Sequence, residues 1–383
     1  MDLSQFQVSA SGKVVRQPQG YWAFLPAALP PALTFSPALV SALSAADRAL
    51  GELRGLGGAL AKPHLLIRPL ARQEAVLSSR IEGTRASLDD LLAYEASQLS
   101  FLERDSDVRE VHNYVRALEY GLERIHTLPV SLRLIRELHA RLMEGVRGDM
   151  WTPGEFRRSQ NWIGPAGSSL ETAPYVPPPV DEMLAALGAL ENFIHGPSDL
   201  PPLIRLGLIH YQFEAIHPFL DGNGRVGRLL IALLLSAWQL LPQPMLYLSA
   251  YFERNRQTYY ELLLAVSQRA AWDEWLLYFL DGVKQQSLDA VARIQRLQAL
   301  RVQYQAQFQT RQAPARLLRA VDLLFAQPVL NVRQVEASLE INFTSAQRLI
   351  DQLIQAGMLR EMTGGRRNRI YRADAVLAIL EST

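Results

Sequence analysis

The chain contains no cysteine, which excludes disulfides, thiolate nucleophiles and thiolate metal sites and fits a reducing compartment. Lysine is almost absent as well. It occurs only at Lys13, Lys62 and Lys284, and arginine supplies the rest of the positive charge. Charges of the two signs nearly cancel, and a net charge of +1 gives no global field to draw in nucleic acid or a membrane. No apolar run is long enough to span a bilayer. The longest, residues 229–241, is broken by Ser236 and Gln239. Residues 1–10 lack the basic stretch and apolar run of a signal peptide. The expectation is a soluble, cytoplasmic protein with no membrane partner.

What is present is apolar enough to build cores. Hydrophobic residues make up 49% and charged residues 20% of 383 positions, as in ordinary globular domains. That length suggests two or three domains. Residues 1–60 read as a Pro- and Ala-rich arm, with Trp22 and Phe24 as docking points, followed by a first helix. Residues 61–284 read as one mainly helical region. Leu134, Leu138 and Leu142 repeat at four-residue spacing, as do Leu206, His210 and neighbours, which marks amphipathic helices. Residues 229–241 are apolar nearly all round, so that helix is expected at the centre. Residues 160–179 hold Gly164, Pro165, Gly167 and three consecutive prolines, which reads as a short hairpin or flap. Residues 285–313 read as a connecting helix. Residues 314–383 pattern as three helices followed by a hairpin around Gly364-Gly365, an order that resembles a winged helix.

The chemistry concentrates in one loop, His217-Pro218-Phe219-Leu220-Asp221-Gly222-Asn223-Gly224-Arg225-Val226-Gly227-Arg228. Asp-Gly and Asn-Gly alone are ordinary turn dipeptides. Here they precede an apolar helix, and glycine-rich backbone at a helix N-terminus can present successive N–H groups to an anion. Arg225 and Arg228 lie about one turn apart at that end, where positive charge is unfavourable unless an anion sits between them. A neutral His217 beside such a nest can take a proton from an attacking hydroxyl. Asp221 offers a hard oxygen for Mg2+. Base, metal ligand, nest and cations are the parts that nucleotidyl transfer needs.

These residues match every fixed position of the Fic (Fido) family pattern, His-x-Phe-x-Asp/Glu-Gly-Asn-Gly-Arg-x-x-Arg, and the chain resembles that family. The resemblance implies a Fic helical core with a β-hairpin flap, and transfer of AMP from ATP to a Ser, Thr or Tyr hydroxyl. It implies His217 as general base and Asp221 as metal ligand. The amides of Gly222, Asn223 and Gly224 would hold phosphates, with Arg225 on the α/β-phosphates and Arg228 on the γ-phosphate. Val226 and Gly227 complete the ATP-binding loop. Gly154-Glu155-Phe156-Arg157 and Gln160-Asn161-Trp162-Ile163-Gly164 look like the segment leading into the flap. Such a flap pairs with an extended target protein through its backbone, and Ile163 and Gly164 would also touch the nucleotide. Tyr259 and Tyr260 resemble a pair that lines the adenine pocket, although a polar Asn often found eight residues after the first tyrosine is Ser267 here.

Ser78-Ser79-Arg80-Ile81-Glu82-Gly83 fits the family's inhibitory pattern, on a helix expected around residues 74–83. Ser78 and Glu82 share one helix face. The resemblance implies that Glu82 reaches Arg228 in a bidentate pair and competes with the γ-phosphate, so that the resting enzyme is slow. Gly83 would cap that helix. The rival reading is a DNA-binding regulator whose core only senses nucleotide. Its footprint is Arg366, Arg367 and Arg369 in the wing, within a domain of nine arginines and seven acidic residues, a thin basic surface. Self-modification and a homodimer are compatible with the sequence. The target protein is not legible in it.

Overall fold

A computed structural model of the chain describes residues 1–6, 10–60, 62–97, 106–146, 152–165, 167–309, 315–365 and 368–382. The architecture is mainly helical, with two small antiparallel sheets. Two helices lie at the centre, α7 (Pro202–Ile216) and α8 (Asn223–Ala237), joined by the short loop that begins at His217. Leu203, Leu206, Ile209 and Phe213 on α7 and Val226, Leu229, Leu230 and Leu233 on α8 are buried. Each such side chain contributes about 1.5–3 kcal/mol by leaving water. Burial on all faces is what the apolar run from Leu229 to Leu235 in α8 requires.

Around this pair stand α2 (Pro63–Ile81), α4 (Ser106–Arg124), α5 (Leu132–Leu142), α6 (Val180–His195) and α10 (Arg256–Arg269). Ser36 caps the long α1 (Pro37–Ala59) through its hydroxyl, which accepts from the Leu39 amide at 3.1 Å, with Pro37 opening the helix. α1 packs along α11 (Trp272–Gln309). α11 is one unbroken helix of 38 residues. The boundary expected near residue 284 therefore falls inside a helix: Asp273 and Trp275 near its start meet Ser36 and Gly207, and Arg301 and Gln305 near its end meet Asp322 of the region that follows.

The Pro- and Ala-rich arm at the N-terminus, expected as an extended segment, contains a hairpin. Strands β1 (Gly12–Arg16) and β2 (Trp22–Pro26) pair into a hairpin, with Phe24 buried against Tyr175. The flap is less regular than a hairpin: a single bridge joins Ile163 and Tyr175. Its prolines and glycines withhold the donors and side chains that would extend the ladder.

The C-terminal region contains α12 (Ala315–Ala326), β3 (Val329–Asn331), α13 (Val332–Leu339), α14 (Phe343–Gln355), β4 (Arg360–Glu361), β5 (Ile370–Arg372) and α15 (Asp374–Glu381). Three helices precede a hairpin, as the sequence pattern required. Two elements were missed there, β3, which completes the sheet order β3-β5-β4, and the terminal helix α15. A three-residue strand has too little periodicity to read. Lys62 reaches Asp322 at 2.7 Å and Arg372 reaches Asp89 at 2.7 Å, so the region docks on α2 and on α3 (Leu88–Ser97). Arg366 and Arg367 lie outside the described residues. Arg369 donates to the Gly365 carbonyl at 2.9 Å, and Arg360 and Arg372 both face Asp374. These arginines are engaged within the fold.

Candidate active site

His217 ends α7 in the left-handed conformation, with φ 49° and ψ 61°. A non-glycine residue there is strained by about 1–2 kcal/mol, and its neighbours hold it. The Arg157 Nε donates to the His217 carbonyl at 3.0 Å, and the Arg157 amide donates to the Pro218 carbonyl at 2.9 Å. Asn161 Nδ2 donates to the Phe219 carbonyl at 2.8 Å. Asn223 closes the loop on itself: its side-chain oxygen accepts from the Phe219 amide and its nitrogen donates to the Phe219 carbonyl, both at 2.8 Å. Gly222 then opens α8 at φ 77°, and a Cβ there would sit 3.0 Å from the Met143 sulfur.

His139 is a further brace. Its Nδ1 accepts from the Gly154 amide at 2.8 Å, so its Nε2 carries the proton donated to the Asp221 carbonyl at 3.1 Å. Its ring stacks on Phe219 at 3.7 Å. Burial lowers its pKa to about 4, so the imidazole stays neutral. His139, Arg157 and Asn161 were not recognised as loop supports. His139 follows Leu138 on an apolar stripe, and Arg157 and Asn161 were read only as part of the flap.

The functional groups meet in one cavity of about 750 Å³, bounded by the flap, α7, α10 and the loop. Glu82, Ile163, Gly164, His217, Asp221 and Gly224 line it, with Arg228, Tyr259 and Tyr260. Gly222, Asn223, Arg225, Val226 and Gly227 lie in the loop or in α8 but outside this lining, and so do Ser78 and Gly83. The volume lies in the range of small-molecule sites. His217 Nδ1 faces the Glu214 carbonyl at 3.3 Å, which places its proton on that nitrogen and leaves Nε2 as an acceptor. Burial lowers its pKa to about 4. The amides of Asn223, Gly224 and Arg225 find no acceptor among the described residues, as the first turn of a helix requires. The Gly222 amide is instead taken by Asp221 Oδ1 at 2.6 Å.

The arginines have carboxylate partners within the chain. Arg225 is buried, donates to Glu110 at 3.2 Å and lies 3.6 Å from Asp221. Arg228 is buried and donates through Nε to the Ser78 hydroxyl at 2.8 Å. Its Nη2 reaches the Ser78 carbonyl at 2.9 Å and Glu82 Oε1 at 2.7 Å. Positive charge at the start of α8 is thus offset by the protein's own anions. The Glu82 contact is a single hydrogen-bonded ion pair, not the bidentate one expected, because Ser78 occupies the other edge of the guanidinium. Burial pushes the Glu82 pKa up, and the charge and hydrogen bond of Arg228 more than reverse it, leaving the group ionised. A Cβ on Gly224 would stand 2.4 Å from Glu82 Oε1, so only glycine lets the carboxylate in. Glu82 is the C-cap of α2, and Gly83 follows at φ 101°. Ser78→Ala leaves the Arg228 Nε without its acceptor. It is expected to cost about 1–3 kcal/mol, read as a lower urea midpoint, and an unchanged midpoint would remove Ser78 from this role.

Glu214 lines the same cavity and was not foreseen. Burial raises its carboxyl to about 8, with Arg228 opposing and Glu82 adding to the shift. His210, one heptad before His217, is buried, meets the Tyr259 hydroxyl at 2.9 Å and is structural, as expected.

Together the fold and the site define a helical protein with a glycine-rich loop between two central helices, facing a cavity of about 750 Å³. Residues 40–123 match the Fic/DOC family N-terminal model and residues 129–235 match the Fic/DOC family model. The chain therefore carries a Fic/DOC N-terminal region followed by a Fic/DOC domain. It is similar to the protein adenylyltransferase Fic of Drosophila willistoni, at 29% identity over 203 residues, or 49% of this chain and 38% of that one. Its counterpart in Drosophila virilis is 33% identical over 131 residues, or 32% of this chain and 25% of that one. The matches thus span well under half the length of these curated relatives. Among solved structures, a Fic family protein from Desulfovibrio desulfuricans G20 has the same fold at TM-score 0.57 and 18% identity, covering 90% of this chain and 98% of the other. Fic-1 from C. elegans matches at TM-score 0.54 and 22% identity, covering 70% of this chain and 75% of that one.

Proposed function

We propose that the chain transfers AMP from ATP to a hydroxyl of a target protein, and that Glu82 restrains the transfer. The observation that carries this reading is the convergence of His217, the open Gly224 amide at the start of α8 and Arg228 in one cavity. The target hydroxyl oxygen attacks the α-phosphorus while His217 Nε2 takes its proton. The bond from the α-phosphorus to the bridging oxygen of the β-phosphate breaks, and pyrophosphate leaves. The amides of Asn223 and Gly224 stabilise the phosphate charge as it shifts. Tyr260, 41% exposed, and Tyr259 flank the base end of the cavity with Ile163 and Gly164.

Mg2+ fits Asp221 as a single carboxylate that meets an ion arriving with the phosphates, and among the described residues no cluster of three ligating side chains competes with that arrangement. Such an ion neutralises the polyphosphate charge. The target segment would lie along the flap, where Trp162 and Ile163 are exposed beside the cavity. The same flap could accept a loop of this chain itself, which is self-modification.

A neutral base throughout the physiological range gives a defined pH profile. With the His217 pKa near 4, the acid limb of kcat/KM is expected near pH 4–5, well below an ordinary histidine at about 6.5. An acid limb centred near pH 6.5 would place His217 in a wetter, uncoupled setting. The identity of the transferred group is tested by incubating the Glu82→Gly protein with each α-labelled nucleoside triphosphate. Strongest labelling from ATP supports AMP transfer, and strongest labelling from another nucleotide replaces AMP with that group.

A further inference from the structure

The nucleotide cavity has an ordered polar inventory. The Tyr211 hydroxyl pairs with Ser267 at 2.8 Å, and the Tyr175 hydroxyl donates to the Ala215 carbonyl at 2.8 Å. The Tyr259 hydroxyl pairs with His210 at 2.9 Å. Asp221 accepts from the Gly222 amide and Glu82 from Arg228. Glu214 is different. Its Oε1 is sealed from solvent with no hydrogen-bond partner among the described residues, packed where a Cβ on Gly227 would come within 2.2 Å. Its other oxygen is not sealed, and the residue lines the cavity. That second oxygen is the one a ligand in the cavity can reach, and a partner there offsets the cost of holding a half-buried carboxyl.

The position of Glu214 indicates what that partner is. Tyr211 and Glu214 line the cavity from one side of α7, a turn apart, and the left-handed His217 caps the end of that helix three residues further on. At a rise of 1.5 Å per residue, Glu214 lies about 4.5 Å along the helix axis from Tyr211. His217 marks the phosphate end, beside Gly224 and Arg228. Of the α7 residues that line the cavity, Tyr211, paired with Ser267, lies farthest along the helix from His217. In a nucleoside triphosphate the sugar stands between phosphates and base.

From this placement, and resting on the reading of the cavity as an ATP site, we infer that Glu214 hydrogen-bonds a sugar hydroxyl and makes the site prefer ribonucleotides. With its carboxyl raised to about 8 by burial, Glu214 is mostly protonated at neutral pH. It then both donates and accepts, as a hydroxyl does. Gly227 serves this contact by leaving room for Oε1 against α8.

The test is calorimetric titration of the full chain carrying Glu82→Gly, which removes the competing carboxylate, with ATP, 2′-deoxy-ATP and 3′-deoxy-ATP. ATP is expected to bind about tenfold more tightly than at least one deoxy analogue, the scale of one hydrogen bond to a buried carboxyl. Adding Glu214→Ala is expected to weaken ATP to the level of that analogue and to abolish the discrimination. Adding Glu214→Gln, which keeps a donor and an acceptor, is expected to retain most of it. Thermal unfolding without ligand separates loss of contact from loss of fold. Equal binding of all three nucleotides to the Glu82→Gly protein overturns the inference, and so does undiminished discrimination after Glu214→Ala. Absence of any adenine-nucleotide binding to the Glu82→Gly protein contradicts the ATP site itself, a result distinct from the other two.

Discussion

Replacing Glu82 with glycine is expected to raise AMP transfer by about 10- to 100-fold, the scale of one charge-assisted hydrogen bond. The carboxylate lies 2.7 Å from Arg228 Nη2 and reaches it over Gly224. It therefore occupies the cation that the terminal phosphate of a productively bound nucleotide would meet. The substitution leaves the rest of the contact in place. Arg228 still donates to the Ser78 hydroxyl and carbonyl. Glu82 is only the C-cap of α2, where glycine is well tolerated. The fold should persist while the phosphate position opens. Incorporation of labelled AMP into protein, compared at equal protein concentration, measures the effect. Equal incorporation by the two proteins would mean that Glu82 restrains nothing.

Replacing His217 is expected to have the opposite effect and a larger one. Alanine removes the nitrogen assigned to accept the hydroxyl proton, a loss of about 10²- to 10⁴-fold in transfer. Nucleotide affinity should change little, because the amides of α8 and the Arg228 guanidinium are untouched. The backbone at this position is left-handed, so His217→Asn is the better-folded companion, since asparagine tolerates that region. Both substitutions should leave ATP binding within about twofold by calorimetry. Retained transfer by either would move the base elsewhere. A parallel loss of ATP binding would show that His217 shapes the loop instead.

How much of this was legible in the sequence differs from residue to residue. The helices with clear periodicity were readable, because a buried face repeats every three to four residues whatever packs on it. The loop from His217 to Arg228 was readable because its glycines and charges are adjacent in the chain. The pairing of Arg228 with Glu82 was reached through a family resemblance, since 146 residues separate them. The sequence could not show that Ser78 takes one edge of Arg228. That depends on how α2 is rotated against α8. Arg225 was read as waiting for a phosphate, yet it faces Glu110 from α4, a partner with no local signal. His139 and Glu214 have no local signal in the sequence. Their roles arise only when α5 meets the loop and when Gly227 leaves space on α8. The N-terminal hairpin was missed because its prolines masked two five-residue strands.

The most direct test of the central claim uses ATP labelled either at the α- or at the γ-phosphate. Each is incubated with the wild-type protein, the Glu82→Gly protein and the Glu82→Gly, His217→Ala double variant. The account predicts protein-bound α-label that is weak in the wild type, strong after Glu82→Gly and absent in the double variant, with no γ-label in any of them. Transfer of the γ-label, or α-label that survives the loss of His217, would contradict it.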